Sequence, residues 1–265
     1  MAIGCAKYGV LISTNQVLTD DVAYHSEWWY DLVLQYQMLR QNGFKDENIY
    51  VLYGDGTDFD TAHCAYNASA IFGRAITDMP VNKSNIEQVF KTLDSRIGRF
   101  DYLYVWWMGH GHGSGAGQCD LSMSISNTGE HVSDAEFKSY LDHVDAYRKR
   151  TIAVMTCHSG GIVDDLNTAG DKTVVLASST CVESSYDANT TCNNIQHADV
   201  NYTMPNILKE KDPCLCPVAS DGDGNGLVSL EEAHQYNLNT VTTSTPQMGD
   251  SDNLAGSTYL EKNRP

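Results

Sequence analysis

Residues 151–161 read Thr-Ile-Ala-Val-Met-Thr-Cys-His-Ser-Gly-Gly, an apolar, β-branched run that ends on the thiol of Cys157 and breaks at once into Ser159-Gly160-Gly161. That pattern predicts a buried strand over Thr151 to Thr156, and the glycines behind it leave room for other backbone to approach closely. A second stretch has the same order. Tyr102 to Met108, Tyr-Leu-Tyr-Val-Trp-Trp-Met, runs into Gly109-His110-Gly111-His112-Gly113.

Outward from these two runs, strand and helix patterns alternate. Lys7 to Ser13, Asn48 to Tyr53 and Thr173 to Ser178 are short and β-branched or aromatic and read as strands. Trp28 to Gln41 carries apolar residues at helical spacing and stops at Asn42-Gly43, Asn85 to Ile97 repeats the pattern, and Ser133 to Tyr147 begins on a capping serine. Such alternation predicts an α/β fold with a mostly parallel sheet and helices on both faces. Ligands of such sheets sit beyond the carboxyl ends of the strands, where His110 and Cys157 fall.

The chain has 265 residues, 42% apolar and 19% charged, which suits one globular domain. No apolar stretch approaches the length that crosses a bilayer. The formal net charge of −17 argues against nucleic-acid or anionic-membrane partners and favours cations. Eight cysteines are too few for a disulfide scaffold; Cys181/Cys192 and Cys214/Cys216 are the pairs close in sequence. No signal peptide is expected within Met1 to Lys7, which lacks a basic leader and a long apolar region. Asn67, Asn82, Asn189 and Asn201 stand in Asn-x-Ser/Thr acceptors, which lean toward a secreted or extracytoplasmic setting but also arise by chance in a chain rich in these residues. Compartment and oligomeric state stay open.

A thiolate nucleophile that cleaves an amide needs an acid for the leaving amine and donors for the developing oxyanion. Two adjacent strands ending in His-Gly and in Cys supply both. His112 rivals His110 because it also precedes a glycine, but it lies farther from the strand end. His158 leaves its strand toward the opposite face from Cys157 and reads as a packed or surface histidine. A zinc reading, His110 and His112 with Cys119 or with Cys157 and His158, requires three or four tightly held ligands, and a glycine-flanked His-x-His is a loose scaffold for them.

The order apolar strand, Gly-His-Gly, helix, apolar strand, Thr-Cys-x-Ser-Gly resembles the caspase-like cysteine peptidases, and within them the legumain family. Tyr36 to Phe44 followed by Asn48-Ile49, Val105 to Gly111, and Glu183-Ser184-Ser185-Tyr186 extend the likeness from about residue 7 to about residue 190. The resemblance implies a caspase-like three-layer α/β sandwich formed by a single domain over residues 1–265, acting as a cysteine endopeptidase on a peptide or protein. Residue by residue, it makes Cys157 the nucleophile, His110 the acid/base, and the amides of Gly111 and Cys157 the oxyanion donors. Glu183, Ser184 and Ser185 then line the specificity pocket. The family's asparagine readers are absent: its arginine position falls at Glu27 and its glutamate position at Met155. Glu27 with Glu183 would favour a cationic side chain before the scissile bond. The same departures suit a transpeptidase or transamidase with the same dyad, or an inactive calcium-binding recognition module on a peptidase scaffold.

Near the C-terminus, Asp221-Gly222-Asp223-Gly224-Asn225-Gly226-Leu227-Val228-Ser229-Leu230-Glu231-Glu232 satisfies the twelve-residue EF-hand loop. The expected ligands of one calcium ion are Asp221, Asp223, Asn225, the carbonyl of Leu227, Ser229 and bidentate Glu232. Pro213 and Pro217 exclude a regular helix before the loop, whereas Ser229 to Tyr236 forms one after it. Half an EF-hand suits a structural staple better than a sensor. Microbial legumain-like proteins with a similar loop followed by Thr-Pro-Gln, here Thr245-Pro246-Gln247, resemble this region. Calcium that neutralises the acidic cluster would fix the loop near the specificity pocket, so the ion is expected to be structural or regulatory, with calcium-dependent activity as the consequence to test.

Overall fold

The computed structural model describes residues 5–16, 19–20, 26–115, 119–189, 195–200, 218 and 220–260. In chain order the first half contains β1 (Lys7–Ser13), α1 (Glu27–Gln41), β2 (Ile49–Tyr53), α2 (Ala68–Phe72), α3 (Lys83–Asp94) and β3 (Tyr102–Met108). Then come β4 (Gly111–Gly113), β5 (Leu121–Ile125), β6 (Glu130–Ser133), α4 (Asp134–Leu141), β7 (Lys149–Met155) and α5 (Gly161–Leu166). The last are β8 (Thr173–Ala177), β9 (Asp187–Asn189), β10 (Gln196–Ala198), α6 (Leu230–Thr240) and β11 (Gln247–Gly249).

The main sheet has the order β11-β8-β7-β3-β1-β2. Its first five strands in sequence, β1, β2, β3, β7 and β8, pair in parallel, and β11 closes the edge antiparallel to β8. Side chains on β3 alternate between two cores, as the pleat requires. Tyr104, Trp106 and Met108 join one core with α1 and α6, while Leu103, Val105 and Trp107 join the other with α3, α4 and α5. A strand buried on both faces reads as a continuous apolar run, which is why 102–108 and 151–155 lack polar alternation. The three layers follow.

Helix α1 is buried on nearly every side, from Glu27 to Leu39, because it lies under further chain on its outer face. Its polar residues are therefore partnered inside the protein. Tyr104 donates its hydroxyl hydrogen to Gln35 Oε1 at 3.0 Å, and Asp31 lies 2.6 Å from His197 Nδ1.

Several elements differ from the sequence reading. The helix expected over Ser133 to Tyr147 starts after the Ser133 cap, whose side chain accepts from the Glu136 amide, but stops at Leu141. Val144 and Tyr147 are buried by a following turn, so their apolar spacing reflects packing of a loop. The helix expected from Asn85 begins at Lys83, capped by Asn82. The small antiparallel sheets β4-β5-β6 and β9-β10 escaped the periodicity because strands of three to five residues carry little of it. Cys119 is disulfide-bonded to Cys181, 62 residues away, rather than to a sequence neighbour. Cys192, Cys214 and Cys216, the acceptor Asn201, and Pro213 and Pro217 lie outside the described residues. Among the described residues no helix is long and apolar enough to cross a membrane.

Candidate active site

Met108 at the end of β3 pairs with Met155 at the end of β7. Two residues beyond each, on the α1 face by the same alternation, stand His110 and Cys157. Both line a cleft of about 210 Å³, together with Trp28 from the first turn of α1, Ser185 and Tyr186 from the loop after β8, and Asp187 at the start of β9. Cys157 is partly exposed and its thiol donates to the carbonyl oxygen of Ser185 at 3.5 Å. The Trp28 ring meets the His110 imidazole edge-on with centroids 5.0 Å apart.

The loop that carries the thiol is fixed from beneath. Ser159 is fully buried; its amide donates to Ser179 Oγ, and its hydroxyl lies 3.2 Å from the hydroxyls of both Ser178 and Ser179. Close approach requires glycine around it, at Gly160, where a Cβ would lie 2.6 Å from the Cys181 amide nitrogen, and at Gly111 and Gly161. A Cβ on Gly111 would lie 2.1 Å from the carbonyl oxygen of Cys157 and 2.6 Å from Thr156 Oγ1, and one on Gly161 would lie 2.1 Å from the carbonyl oxygen of Cys119. The Gly111 backbone therefore abuts the Cys157 turn directly. Gly111→Ala is expected to push the two strand ends apart and lower peptide turnover by about 100-fold or more, in line with small misplacements of reacting groups. A kcat/KM within about threefold of wild type would show that the close approach is irrelevant to activity.

His112 faces elsewhere. Its Nε2 lies 2.8 Å from Ser124 Oγ, and its ring approaches His131 on the β4-β5-β6 sheet. His158 takes the left-handed conformation with φ of 59° and is tied to the opposite loop: its amide donates to the Glu183 carbonyl at 2.8 Å, and Nδ1 lies 3.0 Å from the Cys181 carbonyl oxygen. The zinc grouping does not assemble among the described residues, since Cys119 is spent in the disulfide and the group of potential metal ligands that converges lies at Asp221, Asp223 and Glu232.

The expected pocket residues separate. Ser185 lines the cleft and Ser184 is not among its wall residues. Glu183 also stands off the wall: its carboxylate accepts from the amides of Thr180 and Thr245 and from the Thr245 hydroxyl, clamping the loop to the segment before β11. Partial burial pushes its pKa up, but these donors outweigh burial and hold it below the usual range. Glu27 is 1% exposed at the start of α1. Burial, and then the neighbouring Asp187 and Asp31 carboxylates, push its pKa up to about 9.

A raised carboxyl pKa has a definite sign for stability. Between about 4.5 and about 9 the folded protein holds a proton on Glu27 that the unfolded chain releases, so this group's contribution is greatest at low pH and is lost as pH rises. Glu27→Gln should therefore stabilise the protein by on the order of 2–4 kcal/mol at pH 7 and by little near pH 4. Thermal melts of both proteins across that range check it; an increment that does not change with pH would contradict the shift.

Asp187, Trp28 and His197 were missed in the sequence. Asp187 directly follows the Glu-Ser-Ser-Tyr stretch, so its adjacency to that stretch was the available signal. Asp187 is held in the β9-β10 ribbon, opposite Ala198, and its Oδ2 accepts from Gln196 Nε2 at 3.0 Å. Behind that ribbon lies a buried chain of groups, in which His197 Nε2 is 2.8 Å from the Tyr66 hydroxyl and the Ala198 amide donates to Asp31 Oδ2 at 3.1 Å. Burial drives the Asp31 carboxyl up, opposed by His197 and the Ala198 amide.

The acidic loop at 221–232 is a separate site. One carboxylate oxygen from each of Asp221, Asp223 and Glu232 lies within 4.8 Å of the others. Asp221 accepts from the amides of Gly224 and Gly226, Asn225 Oδ1 from the amide of Leu227, and Glu232 from the amides of Gly222, Asp223 and Ser229. Ser229 and Glu232 form a reciprocal capping box at the start of α6, and Gly226 has φ of 81°. Ser229 bridges Tyr259, and the Leu230 amide donates to the Thr258 carbonyl.

That anchoring places the acidic loop far from the cleft. Lys149 at the start of β7 donates to Ser257 and Thr258, and Lys7 at the start of β1 donates to the Leu260 carbonyl. These are the amino ends of strands whose carboxyl ends carry the cleft, roughly 20 Å away at the usual rise. The expected position beside the specificity pocket is therefore corrected. What joins the two ends is α6, whose far end leads to Ser244 on the Ser178 carbonyl and Thr245 on Glu183.

No protein-family model matches the chain, and no curated protein matches it significantly in sequence. Among solved structures it is similar to caspase-1 from Spodoptera frugiperda, with a TM-score of 0.56 at 11% identity, covering 92% of this chain and 86% of that one. The fold is caspase-like.

Proposed function

We propose that this caspase-like chain is a cysteine endopeptidase of the legumain-like kind, acting through Cys157 and His110. The observation that carries the reading is that these two side chains wall one cleft at the carboxyl ends of adjacent parallel strands, the usual place for a ligand in such a sheet. Cys157 gives its thiol proton to His110 as Sγ attacks the scissile carbonyl carbon, and the oxyanion that forms is held by the amides of Gly111 and Cys157. His110 delivers a proton to the departing amine as the C–N bond breaks, leaving a thioester on Cys157. Water then attacks the thioester, releases the acid product and restores the thiol. Cleavage of a diverse peptide library by wild type but not by Cys157→Ala tests the reading.

The residues of the acidic loop fit calcium. Hard oxygen donors converge, the closing glutamate is in place, and the mutual approach of three carboxylates is relieved by a divalent cation. Asp221, Asp223, Asn225, Leu227 through its carbonyl, Ser229 and Glu232 would hold the ion, which supplies charge neutralisation and fixes the start of α6. Its distance from the cleft supports a structural role.

A further inference from the structure

If Cys157 attacks a peptide bond in this cleft, the side chain before that bond lodges against the wall beside the thiol. Much of that wall is apolar: Trp28, Met108, Met155 and Ala198. Among the described residues of the wall, Asp187 carries the one carboxylate. A long apolar stem with a polar end matches this division, because lysine and arginine bury their methylenes while their heads stay with a charged or wet partner.

We propose that the cleft selects lysine or arginine immediately before the scissile bond, with Asp187 gripping the cationic head; this rests on the peptidase reading above. Asp187 is well placed to discriminate. Its strand is paired with β10 and its Oδ2 is oriented by Gln196, so the carboxylate is set before substrate arrives. The Ser185 carbonyl that accepts from the Cys157 thiol lies two residues upstream, which puts the carboxylate on the same stretch of wall as the nucleophile.

The surroundings add to the preference. Glu27 and Asp31 both feel the Asp187 charge, and the group bonded to Asp31 is the imidazole of His197, on the far side from the cleft wall. An incoming ammonium or guanidinium pairs with the Asp187 carboxylate, whereas an aspartate side chain would be repelled by it. Asparagine is too short to match a wall made largely of Trp28, Met108 and Met155, and its amide would be left beside apolar side chains. Glu183, the residue expected to share this task with Glu27, is instead committed to Thr180 and Thr245.

The test uses acyloxymethyl ketone peptides identical except for arginine, norleucine, asparagine or aspartate at the reacting position, with Cys157 labelling followed by intact mass. Arginine should label wild type at least about 30-fold faster than norleucine, the range for a hydrogen-bonded charge, and Asp187→Asn should bring that ratio close to unity. Equal or faster labelling of Cys157 by norleucine, asparagine or aspartate overturns the specificity and leaves the peptidase reading standing. No labelling of Cys157 by any of the four overturns both. Should Asp187→Asn misfold, agmatine provides a second measure on wild type: it should competitively slow labelling by the norleucine probe, and failure of a small guanidinium to protect, at concentrations where the arginine probe saturates, counts against the proposal.

Discussion

Replacing Cys157 with alanine should reduce peptide cleavage to the background of the uncatalysed reaction, and replacing His110 with alanine should lower kcat/KM by about 10²–10⁴-fold. The two effects differ because the residues do different work. Without a sulfur there is no atom to form the thioester, so the covalent route closes; without the imidazole the amine departs unprotonated, more slowly, while Cys157 can still be alkylated. A small reactive acyl substrate whose leaving group needs no proton should recover much of the His110→Ala rate and none of the Cys157→Ala rate. His112→Ala makes the contrast, since its ring lies against Ser124 and outside the cleft wall. A large loss in His112→Ala with His110→Ala near wild type would reverse the assignment.

Chelating calcium should lower the melting temperature by about 5–10 °C. An ion present at about a hundred times its dissociation constant stabilises the fold by about 2.7 kcal/mol, and each kcal/mol moves Tm by about 2–4 °C in a chain approaching this size. Glu232→Gln should remove most of that calcium-dependent shift, since it takes away the bidentate charge. In chelator the variant should melt close to wild type, because glutamine keeps the oxygen that accepts the Ser229 amide, and the loss of the exposed bonds from Gly222 and Asp223 is offset by relief of repulsion among the three carboxylates. Cleavage well below the transition should persist in chelator, given the position of the loop at the amino ends of β1 and β7. No calcium-dependent change in Tm would dismiss the site. Activity lost in chelator while the fold stays intact would instead point to transmission along α6 to the Thr245–Glu183 clamp.

Much of this was legible before any coordinates. Tyr102 to Met108 appears as a strand with the bounds that its composition implied, and so does Lys7 to Ser13. The acidic loop was readable because its oxygen donors, turn glycine and closing glutamate are all within twelve consecutive residues. Val144 and Tyr147 misled because burial leaves the same apolar mark on a turn as on a helix. The residue most exposed to this kind of error was Glu183: the Glu-Ser-Ser-Tyr stretch marked the right loop, but only Ser185 and Tyr186 of it reach the cleft wall, while Glu183 is held away by the Thr180 amide and by Thr245.

The sequence by itself determined the alternation of strands and helices, the pair of strand ends bearing His110 and Cys157, and the EF-hand-like spacing of oxygen-bearing residues at 221–232, because each is encoded in local periodicity or contiguous spacing. Only the tertiary structure decided which histidine shares the cleft with Cys157, that Cys119 joins Cys181, that Asp187 lines the same cleft, and that the acidic loop sits toward the amino ends of the strands. Those outcomes depend on contacts between distant segments: Asp31 meets His197 across 166 residues, and Lys7 holds Leu260 across 253. Such contacts arise when helices and loops bury their apolar faces against the sheet, and no short window of sequence records which distant segment will lie alongside it.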